Sequence, residues 1–181
     1  MSLRNLTKSK VLARFAALAL LAGTLAGCFQ PMYGQSTLIG TGPSLRDALR
    51  DVEVVEIKGR LGQELRNDLI FELTGGEGNP KGAPYKLVMV LTSGSQIPQV
   101  DVVSGRALSE IISLDVQYQL RDSTNNNRIL LTEKALARVT IDRSQQRFAA
   151  VRALRDAQNR AAKIVAEQIR SRLASYFLTR T

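Results

Sequence analysis

The sequence predicts an α+β domain: a two-layer sandwich with a small mixed or antiparallel sheet and two helices, in the order β-α-β-β-β-α. Three observations carry this prediction. Leu108–Leu120 and Ile129–Ile141 alternate apolar and polar residues with period two, on either side of an asparagine-rich turn. Arg60–Leu73 and the stretch after Ser144 repeat apolar residues at helical spacing. Val52–Ile57 and Tyr85–Thr92 are short apolar runs bounded by polar or Gly/Pro-rich stretches, as strands are.

Taken in order, Ser44–Asp51 is compatible with a short helix or an irregular lead-in. Val52–Ile57 (VEVVEI) is rich in β-branched residues and reads as a first strand. In RLGQELRNDLIFEL, Leu61, Leu65 and Leu69 recur every four residues, and Ile70 and Leu73 extend the stripe. Gly75 and Gly76 then end the helix, because glycine tolerates the left-handed C′ position. Tyr85–Thr92 reads as a second strand. Gln96–Gly105 matches no regular element, although Val100, Val102 and Val103 make it apolar.

Leu108, Ile112, Leu114, Val116, Tyr118 and Leu120 share one strand face, interrupted by Glu110. Ser123–Asn127 is a turn. Ile129, Leu131, Ala135, Ala137, Val139 and Ile141 share the next strand's face. Arms of about 13 residues reach roughly 43 Å at 3.3 Å per residue, so the hairpin predicts an elongated domain. Ser144 is a candidate N-cap for a last helix. From there to Phe177 no Gly or Pro occurs, and Val151, Leu154, Ala157, Ala161, Ile164, Val165, Ile169, Leu173 and Tyr176 form a stripe. A helix of thirty-odd residues is roughly 45 Å long, which matches the hairpin it would lie along.

The first 27 residues differ in composition from the rest. Arg4, Lys8, Lys10 and Arg14 form a basic start, and Phe15–Leu25 is nearly all Ala, Leu and Gly. This is the layout of a secretory signal peptide, and the apolar run is too short for a span of about 20 residues. Three segments result: a signal peptide over 1–27, an N-terminal tether rich in Gly, Pro, Ser and Thr over 28–43, and the α+β domain over 44–181. Leu25-Ala26-Gly27-Cys28 resembles the lipobox of bacterial lipoproteins. That resemblance implies diacylglycerol on the Cys28 thiol, cleavage before it, and an acyl group (palmitate) on the new amine. Small residues let the extended chain enter the protease site, and the thiol is the nucleophile that forms the thioether. Several acyl chains, at about 0.8 kcal/mol per buried CH₂, would anchor the chain to a membrane. Cys28 is the one cysteine in the sequence, so acylation would leave no thiol for a disulfide.

Without residues 1–27 the chain carries 21 basic and 16 acidic residues, a net charge of +5. Arg147 to the end holds eight basic and two acidic residues, whereas 28–146 holds 13 and 14. The positive field therefore belongs to the C-terminal segment. A lipoprotein outside the cytoplasm is not placed to meet nucleic acid. Anionic lipid, lipopolysaccharide phosphates or an acidic protein wall are its expected partners. The sequence has no histidine, no GxSxG, no phosphate-binding glycine loop and no paired-cysteine metal spacing. We therefore expect no enzyme, no metal and no cofactor.

Two stretches together resemble the lipopolysaccharide-assembly lipoprotein family LptE. Cys28-Phe29-Gln30-Pro31-Met32-Tyr33-Gly34 is similar to its mature N-terminus, although the family often has one more residue between Cys and Phe. Gly62-Gln63-Glu64-Leu65-Arg66-Asn67-Asp68-Leu69 looks like its Leu-Arg-Asn helix. The resemblance implies an outer-membrane lipoprotein that forms a heterodimer with the barrel LptD, plugs its lumen, helps it assemble and binds lipopolysaccharide during delivery to the outer leaflet. It would be lipid-anchored, facing the periplasm and the barrel lumen. Phe29 after Cys28 is not the Asp that retains lipoproteins in the inner membrane of many bacteria. Basic residues near the connection between the second and third strands and before the last helix are implicated in the family, and the matching regions hold Arg106 and Arg143. Both also fit ordinary surface arginines. The rival reading is an auxiliary outer-membrane lipoprotein of a phospholipid-type ABC transport system, or a structural envelope lipoprotein.

Overall fold

The structure is a computed structural model that describes residues 44–97, 109–143 and 146–180. The signal peptide, the tether, Leu108, Ser144 and most of Gln96–Gly105 lie outside the described residues. Seven elements follow in order: α1 (Leu45–Arg50), β1 (Val52–Val54), α2 (Arg60–Thr74), β2 (Tyr85–Gln96), β3 (Ser109–Asp122), β4 (Arg128–Asp142) and α3 (Arg147–Arg180). The strands form one sheet in the order β1-β2-β3-β4; β1 runs parallel to β2, and the other pairs are antiparallel. The predicted α+β class and the strand succession hold.

The predicted two helices become three. The Ser44 hydroxyl accepts the Asp47 N–H at 3.3 Å, which caps α1, and Leu45 and Leu49 fall on one face and are buried. The glycine end of α2 is as expected: Gly75 has φ 71°, and its N–H donates to the Phe71 carbonyl at 2.8 Å.

One sheet face carries the core. Leu87 and Met89 of β2 lie beside Leu120 and Tyr118 of β3, and Leu114 and Val116 face Ala137 and Ala135 of β4. On these rows pack Leu65, Leu69 and Leu73 of α2 and Ala157, Ala161, Val165, Ile169 and Leu173 of α3. Alanine at so many inward positions lets α3 approach closely, while Ile169 and Leu173 fill the remaining volume. The two long helices run in the same direction: Arg60 donates to Asn159, and Arg170 meets Glu72 twelve residues further along α2. The opposite sheet face has no helix of the described residues on it, and Val90 there is 66% exposed.

Two boundaries and one strand face differ from the expectation. β1 is three residues instead of six, because beyond Val54 only the Val55 N–H continues the ladder, to the Leu87 carbonyl. β2 runs on to Gln96 through Ser93-Gly94-Ser95, which pair with Leu114, Ser113 and Ile112 of β3. These small polar residues carry no alternation; their neighbour strand makes them strand. Ile129 leaves the predicted core face. The register shifts at Leu120/Arg121, so that Leu131 pairs with Leu120 but Ile129 pairs with Arg121, and Ile129 is 51% exposed. One extra residue in a strand turns everything before it to the other side.

Candidate functional site

β2 ends, β3 begins, β4 ends and α3 begins at one end of the sheet: Gln96 pairs with Ile111, Ser109 with Asp142, and α3 starts five residues after Asp142. The first residue that α3 buries is Ala157. Its opening turns carry the helix's apolar stripe, of which Leu154 packs partly buried on the core while Phe148 and Val151 do not. Phe148 is 86% exposed and Val151 46%, and Ile97 at the end of β2 is 48% exposed. Val151, predicted as core, is instead part of this open end.

Cations share that end. Arg143 follows β4 directly; its Nε lies 3.9 Å from Glu110 Oε2, a long and exposed pairing. Arg147, Arg152 and Arg155 are exposed, and among the described residues none has a carboxylate oxygen within 4 Å. Further along the helix three arginines have carboxylate partners, one on the helix itself and two on other elements. Arg160 pairs with Asp156 at 2.8 Å, Arg170 with Glu72 at 3.0 Å and Arg172 with Glu133 at 3.7 Å. Lys163 lies near Asp68, whose carboxyl is pushed up by partial burial and by Glu64 and Glu72, against the pull of Lys163. Glu133 also accepts from the Tyr118 hydroxyl at 3.4 Å, and burial together with that carboxylate holds the phenol well above its ordinary range. The cations of the C-terminal segment are thus divided: Arg160, Arg170 and Arg172 are paired, whereas Arg147, Arg152 and Arg155 are open at the helix start.

Of the predicted site residues, Arg143 lies at this open end, exposed. Cys28 and Arg106 lie outside the described residues. Sequence reasoning missed Phe148 and Ile97; Phe148 continues the Val151-Leu154-Ala157 spacing and Ile97 the parity of Leu87 and Met89, so neither carried a signal of exposure. Arg66, in the Leu-Arg-Asn stretch, holds α2 to the sheet by donating to the Val54 carbonyl at 3.3 Å. Among the described residues, no group of His, Cys, Asp or Glu could hold a metal ion, and no helix is long and apolar enough to cross a membrane.

This two-layer α+β sandwich is the fold of a class of lipoprotein with solved members. The chain is a member of the LptE family, described as lipopolysaccharide-assembly, whose model matches residues 48–173. A Caulobacter crescentus CB15 structure, described as a candidate lipoprotein, is 27% identical with a TM-score of 0.60, covering 75% of this chain and 96% of its own. A minor lipoprotein from Acinetobacter baumannii shares the fold at 17% identity and a TM-score of 0.53, over 70% of this chain and 94% of its own. Lipoprotein B from Nitrosomonas europaea does so at 17% identity and a TM-score of 0.53, over 70% and 83%. No curated protein matches the chain.

Proposed function

We propose that this member of the lipopolysaccharide-assembly family is an outer-membrane lipoprotein anchored through Cys28, N-palmitoylated and S-diacylglycerated there. In this reading it partners the LptD barrel as a plug in its lumen, helps it assemble, and binds lipopolysaccharide in transit. The carrying observation is the open end. Lipopolysaccharide is an amphiphile with phosphates beside acyl chains. Phe148, Val151 and Ile97 lie at the same end as Arg143, Arg147, Arg152 and Arg155, and guanidinium groups suit phosphate recognition. The sheet face on which no helix of the described residues lies presents Thr92, Asp115, Gln117, Lys134 and Arg138, all exposed, and suits the polar lumen of a barrel.

Depletion of the protein tests the assembly role. Loss of native disulfides in LptD and of lipopolysaccharide from the surface is expected; normal levels of both would sink it. Mass spectrometry of the mature chain tests the anchor, an unmodified N-terminus being the contrary result. For the lipid site, Arg143→Asp, Arg106→Asp and Phe148→Ser each weaken lipopolysaccharide binding to the purified protein while its urea midpoint stays in place. Unchanged binding in all three would remove this end as the site.

A further inference from the structure

Both edges of the sheet are met by a side-chain amide. At β1, Asn79 Oδ1 accepts the Val54 N–H at 2.9 Å, and its Nδ2 donates to the Val54 carbonyl at 3.2 Å. At β4, Gln168 Oε1 accepts the Leu136 N–H at 3.3 Å, and its Nε2 donates to the Leu136 carbonyl at 3.1 Å. A primary amide has the donor and acceptor of a peptide unit. Each amide therefore stands where the peptide of a further strand would stand.

The two edges differ in what else covers them. β1 has three residues; Val52 and Val54 are at most 1% exposed, Arg66 adds a second donor to the Val54 carbonyl, and Glu53 accepts the Gly82 N–H of the following loop at 3.2 Å. That edge is closed. β4 has 15 residues, and Gln168 is exposed. Alternation in an antiparallel pair turns the peptide groups of Thr132, Lys134, Arg138 and Thr140 the same way as those of Leu136, and all four residues are exposed. Beside them lies a groove of about 360 Å³ between Lys134 and Ala135 of β4 and Ile164, Glu167, Ser171 and Arg172 of α3. A long open edge next to a helix is the geometry in which an extended peptide adds to a sheet.

We propose that the β4 edge is a strand-addition surface for an acidic extended polypeptide segment, with Gln168 as its displaceable latch. Charge selects the occupant. Lys134 and Arg138 flank Leu136 on the uncovered face, and among the described residues neither has a carboxylate within 4 Å; Asp115 of β3, opposite Leu136, is the nearest acid in the pairing. A second copy paired antiparallel about Leu136 would bring Lys134 against Arg138, which is repulsive. A strand with carboxylates at every second position places them beside these two cations. Its alternate residues then face the groove, where Ile164 is 39% exposed and Arg172 is paired with Glu133. This surface is separate from the lipid-binding end and does not depend on it.

The test uses the purified full chain and a short synthetic peptide alternating glutamate and valine, with a lysine-for-glutamate peptide as control. Fluorescence polarisation follows binding, and hydrogen exchange locates it. The glutamate peptide is expected to bind and to protect the amides of Thr132–Thr140. Gln168→Ala and Gln168→Met, which remove the two competing hydrogen bonds, tighten it about tenfold. Lys134→Glu combined with Arg138→Glu reverses the preference to the lysine peptide. Absence of saturable binding to the latch variants, equal binding of both peptides, or protection at β1 would overturn the proposal. So would dimerisation of Gln168→Ala in place of peptide binding, which would make the amide a guard against self-pairing.

Discussion

From Ala157 onward, α3 buries Ala161, Val165, Ile169 and Leu173 against the sheet, and Arg170 and Arg172 reach carboxylates of α2 and β4. Before Ala157 the same helix, with the same apolar spacing and a denser set of arginines, buries no residue and leaves Phe148 and Val151 in the open. Both parts read alike as amphipathic helix. The difference lies in what each meets. The later part lies over the sheet core, whereas in the opening turns only Leu154 packs against it, partly buried. An apolar residue contributes to stability only where a partner surface removes it from water, and an arginine is neutralised only where a carboxylate arrives. One part therefore stabilises the fold, and the other leaves apolar and cationic side chains in water.

The largest expected contrast is in packing. Ile169→Ala should cost about 3 kcal/mol in urea unfolding, through lost burial and a cavity. Phe148→Ala should change stability by less than about 0.5 kcal/mol. A loss above that for Phe148 would show that the opening turns are packed after all. Next, Gly62→Ala in α2 should cost about 2 kcal/mol, because a Cβ there would lie 2.7 Å from Ile57 Cγ2 and 2.9 Å from the Ile57 carbonyl oxygen. The same change at exposed Arg152 should leave the urea midpoint in place.

Charge gives a smaller contrast. Arg170→Met, which strips Glu72 of its partner in a half-buried pair, should cost about 1 kcal/mol at low salt, whereas Arg152→Met should cost nothing measurable. The smallest effect is at Asp68. Its carboxyl is raised above 3.8 in the folded chain, chiefly by desolvation, so the folded state holds the proton more tightly than the unfolded state does. That contribution is present at acid pH and is lost as pH rises through the folded value. Asp68→Asn should therefore stabilise the protein at neutral pH by less than about 1 kcal/mol, with the gain vanishing below about pH 4. A gain that persists at acid pH would trace the effect to packing.

Periodicity located the elements well where each strand or helix buries one full face. Ile112 to Leu120 and Leu65 to Leu73 are core as their spacing indicates. It failed where pairing or local geometry intervenes. The polar end of β2 is strand because β3 lies beside it, and Ile129 changes face through a one-residue bulge. The candidate site was legible only in part. Arg143 and the basic C-terminal segment stood out by charge and place in the chain, but Phe148 reads as one apolar residue in an apolar helix, and its exposure follows from where the sheet stops. Asn79 and Gln168 are ordinary amides in sequence; nothing local indicates that each reaches a sheet edge.

The sequence by itself determined the α+β class, the core faces and the presence of a basic last helix, because these follow from side-chain spacing against fixed helical and strand periods. Only the tertiary structure decided which arginines are neutralised, which apolar residues stay in water and which sheet edge stays open. Those outcomes depend on where elements distant in sequence end relative to one another, as Gln168 at Leu136 and Glu72 at Arg170 show.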